Sequence, residues 1–269
     1  MCNPPIERGL GAYRPLEREL DAAVAAARAE GEAVLSFFGK RLHGDWKADD
    51  SPVSDADRAA DAAIRESIEA AFPDDAVLTE ESDERPGKSG RRWIIDPVDG
   101  TRSFLRGLPY WCNLIALEAQ GEIAVGVVHL PALGVLYRAA RGLGAWRGDT
   151  RLEIRANGGV SRSSLVLGEL DLITAKLGGD TFRRLVHAVG SSASYGAGYG
   201  AALVLDGQAD AWLEGDVSLW DIAPLGVLFD EAGGCFSDLE GRREWPRRSG
   251  LAAEAELHRA LLSFIHPTQ

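Results

Sequence analysis

The chain has 269 residues, 45% of them hydrophobic, which is enough for one large domain or two closely packed halves and excludes overall disorder. Its formal net charge of −12 argues against nucleic-acid backbones and anionic membranes as partners, because both select clustered Lys and Arg. A small phosphorylated partner stays open, since a bound divalent cation reverses the local field that an incoming phosphate meets.

In chain order, Leu16, Leu20, Val24, Ala27, Val34, Leu35 and Phe38 fall at spacings that predict a long amphipathic helix over residues 16–38. Its N-terminal flank has no apolar stretch of the signal-peptide kind, and no run in the chain reaches the roughly 18 to 20 apolar residues of a membrane span, so a soluble cytoplasmic protein is expected. After the turn-like LHGDWKADDSP, a second helix is predicted from near Asp55 to Ala71, with Ile64 and Ile68 one turn apart and Pro73 beyond its end. AVLTEE reads as a short strand, and RRWIIDPVDG as an apolar strand that ends in two chain-turning dipeptides. TRSFL opens a helix, and CNLIALE, IAVGVVHL and GVLYRAA suggest an antiparallel meander.

The polar stretch RANGGVSRSS marks the passage into a second half that begins with the strand SLVLGEL. There GYGAALVLDG reads as helix, DAWLEG as a short strand, DIAPLGVLFDEAGG as a helix closed by glycines, and AAEAELHRALLSFI as a terminal amphipathic helix. Residues 1–155 and 156–269 are thus expected to be two halves of one compact unit. Cys2, Cys112 and Cys235 are few, far apart and outside CxxC spacing, so they read as reduced thiols. None of the five His sits in a metal-ligand spacing.

The chemistry concentrates in acids. Asp96-Pro97-Val98-Asp99-Gly100-Thr101 places two carboxylates three residues apart on one turn, although Asp-Pro and Asp-Gly are also ordinary turn formers. Thr79-Glu80-Glu81-Ser82 follows another strand and would by itself be a solvated loop. Asp221 stands where a helix begins and has a capping role open to it, and Ser54 with Asp57 fits the S-x-x-D capping spacing.

Taken in order, these segments resemble the inositol monophosphatase family of metal-dependent sugar and polyol phosphatases. WIIDPVDGTRSF is similar to its first signature and LWDIAPLGVLFDEAGG to its C-terminal one, and SPVSDAD, TEES and GVVHLPALGVLYRAARGLGAW match in order and spacing. The resemblance implies an α/β fold, an α+β N-terminal half and an α/β C-terminal half layered as an αβαβα sandwich of the inositol monophosphatase and fructose-1,6-bisphosphatase type, commonly a homodimer.

It also implies that Glu80, Asp96, the Val98 carbonyl, Asp99 and Asp221 hold two or three Mg²⁺ per active site, with Asp96 as the bridge between metals. So many carboxylates brought together would repel one another unless a cation neutralised them, and hard oxygen donors suit Mg²⁺. Carried over in the same way, Asp57, Glu80 and Thr101 activate the water that attacks phosphorus in line. Gly100, Thr101, Ser191, Ser192 and Glu214 would contact the substrate, the first two through backbone N–H groups.

The function implied is Mg²⁺-dependent hydrolysis of a small phosphorylated metabolite, inositol monophosphate or histidinol phosphate. Ser103 in DGTRSF and the segment GLPYW resemble the histidinol-phosphate phosphatase branch, while Ala197 and Gly198 stand where that branch often carries an acid. Two alternatives are a non-catalytic regulatory or binding member of the fold and a phosphatase of 3'-phosphoadenosine compounds.

Overall fold

The structure is a computed structural model that describes residues 16–40, 44–46, 52–155 and 158–266, with side chains left undescribed at 44–46, 52–54 and 197. Eight helices lie among the described residues: α1 (Glu17–Leu35), α2 (Asp55–Ala71), α3 (Thr101–Leu105), α4 (Leu170–Leu177), α5 (Gly179–Ala188), α6 (Ala197–Leu205), α7 (Leu219–Glu231) and α8 (Ala255–Ile265). A short antiparallel pair, β1 (Gly44–Trp46) and β2 (Pro52–Ser54), occupies part of the segment expected to be a turn, whose remaining residues lie outside those described.

The first large sheet runs in the order β3 (Ala76–Thr79), β4 (Arg91–Asp99), β5 (Cys112–Ala119), β6 (Glu122–Leu130), β7 (Val135–Ala140), β8 (Gly144–Arg147), β9 (Thr150–Arg151). Only β3 and β4 are parallel, and the rest form the expected meander. The second sheet, in the order β11-β10-β12-β14-β13, is built from β10 (Ser164–Leu167), β11 (Ser191–Ser194), β12 (Ala211–Glu214), β13 (Cys235–Ser237) and β14 (Gly250–Ala253). Here β10 is parallel to β11 and β12, while β14 runs antiparallel to β12 and β13.

Strand alternation sets the layers, because successive side chains on a strand point to opposite faces. In β4 and β5, Trp93, Ile95, Ile115 and Leu117 pack in one cluster with Leu20, Ala23 and Ala27 of α1 and Ile64 and Ile68 of α2. On the other face Ile94, Leu114 and Ala116 join Ala201 and Ala202 of α6 and Ile222, Leu225 and Phe229 of α7, and that cluster extends to Val166, Trp212 and Phe236 of the second sheet. The far face of that sheet, with Leu165, Leu213 and Leu251, packs on α4, α5 and α8. The order is therefore α1/α2, first sheet, α6/α7, second sheet, then α4/α5/α8, the five-layer α/β sandwich that the resemblance implied. Burial of Ile64 and Ile68 stabilises the α2 contact by about 1.5–3 kcal/mol each.

No helix among the described residues is long and apolar enough to cross a membrane. Cys112 is a free, buried thiol. Cys235 is disulfide-bonded, which corrects the reading of all three cysteines as reduced thiols: separation along the chain says little about distance in the fold.

Candidate active site

A β-bulge at the end of β4 creates the site. Asp96 pairs with Leu114 and Asp99 with Cys112, so three steps along β4 match two along β5. In a regular strand, carboxylates three residues apart would point to opposite faces. The extra residue turns Asp99 onto the face of Asp96, and Pro97, which has no N–H to donate, is suited to the break. Both carboxylates then face the α6/α7 layer. The Val98 N–H donates to Asp96 Oδ1 at 3.0 Å.

Glu80 arrives from β3, whose parallel register puts Thr79 beside Ile95, and its backbone N–H donates to the Ile95 carbonyl at 3.2 Å. This brings the Glu80 side chain into a hydrogen bond with Asp96. Asp221 enters as the third residue of α7 and closes a capping box, accepting the Ser218 N–H at 2.7 Å while the Ser218 side chain accepts the N–H of Asp221. The capping role left open in the sequence is thus filled by the same residue that joins the cluster. One carboxylate oxygen each from Asp96, Asp99 and Asp221 lies within 4.8 Å of the others.

Their protonation reflects this crowding. Burial first, then Glu80, Asp99 and Asp221, holds Asp96 well above the usual carboxylate range. Asp221 is likewise raised by burial and by Asp99. Asp99 is pushed up to about 6, mainly by burial, against the lowering effect of N–H and S–H donors from Gly198 and Cys112. Buried, mutually repelling oxygen donors of this kind fit a hard divalent ion, which supplies the missing positive charge.

Beside the cluster, Thr101 Oγ1 lies 3.0 Å from Asp57 Oδ1 and 3.0 Å from the Val98 carbonyl, so one hydroxyl proton has two acceptors. Asp57, in the first turn of α2, is buried. Gly100 precedes α3 with φ of 84°, a left-handed conformation that a side chain would strain. Glu214 ends β12 on the same face as Trp212, toward α6 and α7, and its Oε1 accepts the N–H groups of Glu169 (3.0 Å) and Gly215 (2.9 Å). Burial pushes it up to about 7 despite those two bonds.

Ser191 and Ser192 are placed differently. They lie on the exposed edge strand β11, with Ser191 beside Ser164 and Ser192 beside Leu165 at the start of β10. Glu214 lies at the opposite end of these strands, since Leu165 pairs with Ala211. The register therefore does not bring Ser191 and Ser192 to the cluster. Ser194 and Tyr195 lie nearer the Glu214 end of these strands, donating to the Gly168 and Leu167 carbonyls at 2.8 Å each.

Several participants escaped the sequence reading. Cys112 Sγ (3.2 Å) and the Gly198 N–H (2.9 Å) both donate to Asp99 Oδ2. A Cβ at Gly198 would lie 2.2 Å from that sulfur, so only glycine permits the approach. Glu169 adds charge facing Asp99 and Glu214, and Glu30, buried on α1, is raised by burial and by Asp57. The one local signal was Glu169 directly after a strand, as in TEES; the others are contacts between distant segments.

The fold and site define a layered α/β protein with a clustered acidic centre whose oxygen donors suit a divalent cation. The inositol monophosphatase family profile matches residues 16–268. A histidinol-phosphatase of Chlorobaculum parvum is 39% identical over 249 residues, covering 92% of this chain and 96% of that protein. An inositol-1-monophosphatase of Rhizobium meliloti is 37% identical, covering 82% of this chain and 86% of that protein. Among solved structures, the extragenic suppressor protein suhB of Bartonella henselae superposes with a TM-score of 0.87 at 30% identity, covering 93% and 99% of the two chains. The chain belongs to the inositol monophosphatase family, and it is an enzyme of the phosphoric monoester hydrolase class, the activity carried in the names of the first two relatives.

Proposed function

We propose that this chain is a Mg²⁺-dependent phosphomonoesterase acting on a small amino-alcohol or polyol phosphate, with histidinol phosphate ahead of inositol monophosphate. The observation that carries the reading is the convergence of Asp96, Asp99 and Asp221 within 4.8 Å next to the Thr101–Asp57 pair. Glu80, Asp96, Asp99, Asp221 and the Val98 carbonyl would hold the ions. Bound Mg²⁺ supplies Lewis-acid stabilisation of the charge developing on the phosphoryl and leaving oxygens and lowers the pKa of water.

The chain's own residues manage the proton. A water beside Thr101 passes a proton to the Thr101 hydroxyl, which passes its own to Asp57 Oδ1; the water oxygen bonds to phosphorus in line as the ester P–O bond breaks, and the departing alkoxide takes up a proton from solvent. Gly100 and Thr101 form the turn beneath the phosphate, and Glu214 faces the alcohol portion. The Asp-Pro-Val-Asp bulge aims both carboxylates, so a single backbone irregularity organises the centre.

Histidinol phosphate is placed first because of the 39% identical relative and the DGTRSF and GLPYW segments. A solely regulatory role, the other possibility raised by the fold, gives no reason for keeping the acids and the Thr101–Asp57 pair together. The test is phosphate release with Mg²⁺ from histidinol phosphate, inositol monophosphates, sugar phosphates and adenosine 3',5'-bisphosphate. The expected outcome is highest kcat/KM on histidinol phosphate; highest turnover on the adenosine compound would replace the substrate assignment.

A further inference from the structure

Three tyrosines from two distant segments meet at the edge of the acidic centre. The ring centroids of Tyr110 and Tyr199 are 4.7 Å apart, those of Tyr195 and Tyr199 5.3 Å, and those of Tyr110 and Tyr195 5.7 Å. All three are half-buried.

Their anchors tie them to the site. The Tyr110 carbonyl lies 3.0 Å from where a Cβ of Gly100 would stand, and Tyr110 is two residues before Cys112, the donor to Asp99. Tyr199 directly follows Gly198, the other donor to Asp99. Tyr195 bonds to Leu167 beside Gly168, and an added Cβ at Gly168 would strike the Glu214 carboxylate. The cluster therefore borders both the phosphate turn and the alcohol side, where Glu169 and Glu214 add negative charge. Desolvation first, then Tyr110 and Tyr195, pushes the Tyr199 phenol up, so its ring stays neutral at physiological pH.

We propose that Tyr110, Tyr195 and Tyr199 form an aromatic subsite that selects substrates whose alcohol carries a cationic nitrogen, an ammonium or imidazolium, over neutral polyols. Electron-rich ring faces attract a cation, and the attraction strengthens where the cation is partly desolvated. A neutral polyol gains only ordinary contact with the ring faces. The inference rests on the phosphatase reading and narrows its substrate.

The experiment compares Tyr110→Leu, Tyr110→Phe and Tyr195→Leu with wild type. The readout is the ratio of kcat/KM on histidinol phosphate to kcat/KM on inositol 1-phosphate. Within one preparation this ratio is independent of the folded fraction. Each Leu variant should lower the ratio about tenfold, mainly through KM for histidinol phosphate, while Phe retains it because the π face remains. An unchanged ratio in both Leu variants would overturn the proposal.

Calorimetric titration with histidinol and with myo-inositol, in Mg²⁺ and inorganic phosphate, supplies a readout independent of turnover. Wild type should prefer histidinol, and the Leu variants should lose the preference. Preferential binding lost in the Leu variants, together with no hydrolysis of any ester, would sink the phosphatase reading and leave the subsite standing. Hydrolysis without any preference for histidinol would do the reverse.

Discussion

The Cys112 thiol donates to Asp99 Oδ2 at 3.2 Å, and the Gly198 N–H donates to the same oxygen at 2.9 Å. Two segments far apart in sequence thus fix the Asp99 carboxylate and occupy one of its oxygens. The arrangement depends on the missing side chain at position 198.

Gly198→Ala is accordingly expected to act on both stability and metal affinity. The new methyl group would stand 2.2 Å from Cys112 Sγ and 3.0 Å from Asp99 Oδ2, and relieving that overlap costs about 1–3 kcal/mol. Thermal melts should show a lower Tm, and calorimetry should show weaker Mg²⁺ binding. A variant equal to wild type in both would mean that the close approach is not needed.

Asp96→Asn keeps the side chain's shape and removes one charge from the crowded centre. Turnover should fall below about a tenth of wild type, which corresponds to more than about 1.4 kcal/mol of barrier. The metal-free variant should melt no lower than metal-free wild type, since burial and three neighbouring acids already disfavour the Asp96 charge. Steady-state kinetics and melts in chelator check both halves.

Asp57→Asn tests the proton path. Thr101 keeps a hydrogen-bonding partner at that position, but the basic oxygen is lost. We expect kcat to fall about 100-fold with little change in KM, within the usual range for removal of a general base. A fall confined to KM would assign Asp57 to substrate binding instead.

The acidic centre also makes metal-free stability depend on pH. A carboxyl raised in the folded state binds protons more tightly there than in the unfolded chain, so its contribution is fully present below the unfolded value of 3.8 and is lost as pH rises through the folded one. For Asp99 that window runs from 3.8 to about 6, and Asp96 and Asp221 act in the same direction. His258, pushed down to about 4 chiefly by burial, works oppositely as pH falls below 6.5, but it does so with and without metal. The rise in Tm caused by Mg²⁺ should therefore be larger at pH 7.5 than at pH 5. Equal rises would mean that the ions do not relieve carboxylate repulsion.

Much of this was readable because it is local. Helix α2 spans the predicted Asp55–Ala71, and Ile64 and Ile68 are buried as their one-turn spacing required. The β5–β7 meander follows its Gln-Gly and Pro-Ala-Leu-Gly breaks, since turn chemistry is carried by adjacent residues. The acids were legible as a set through family resemblance, but their aim was not. Whether Asp96 and Asp99 share a face depends on register against Cys112 and Leu114. Ser191–Ser194 has little strand propensity of its own and becomes a strand through parallel pairing with β10. The Cys112, Gly198 and tyrosine contacts join segments distant in sequence, so no local pattern announces them.

The most direct test of the account is phosphate release from histidinol phosphate by enzyme stripped with EDTA and then reloaded with Mg²⁺. The account predicts no release from the stripped enzyme and recovery with Mg²⁺, because uncompensated carboxylates repel the phosphate that the ions would attract. Full hydrolysis by exhaustively chelated enzyme would contradict it.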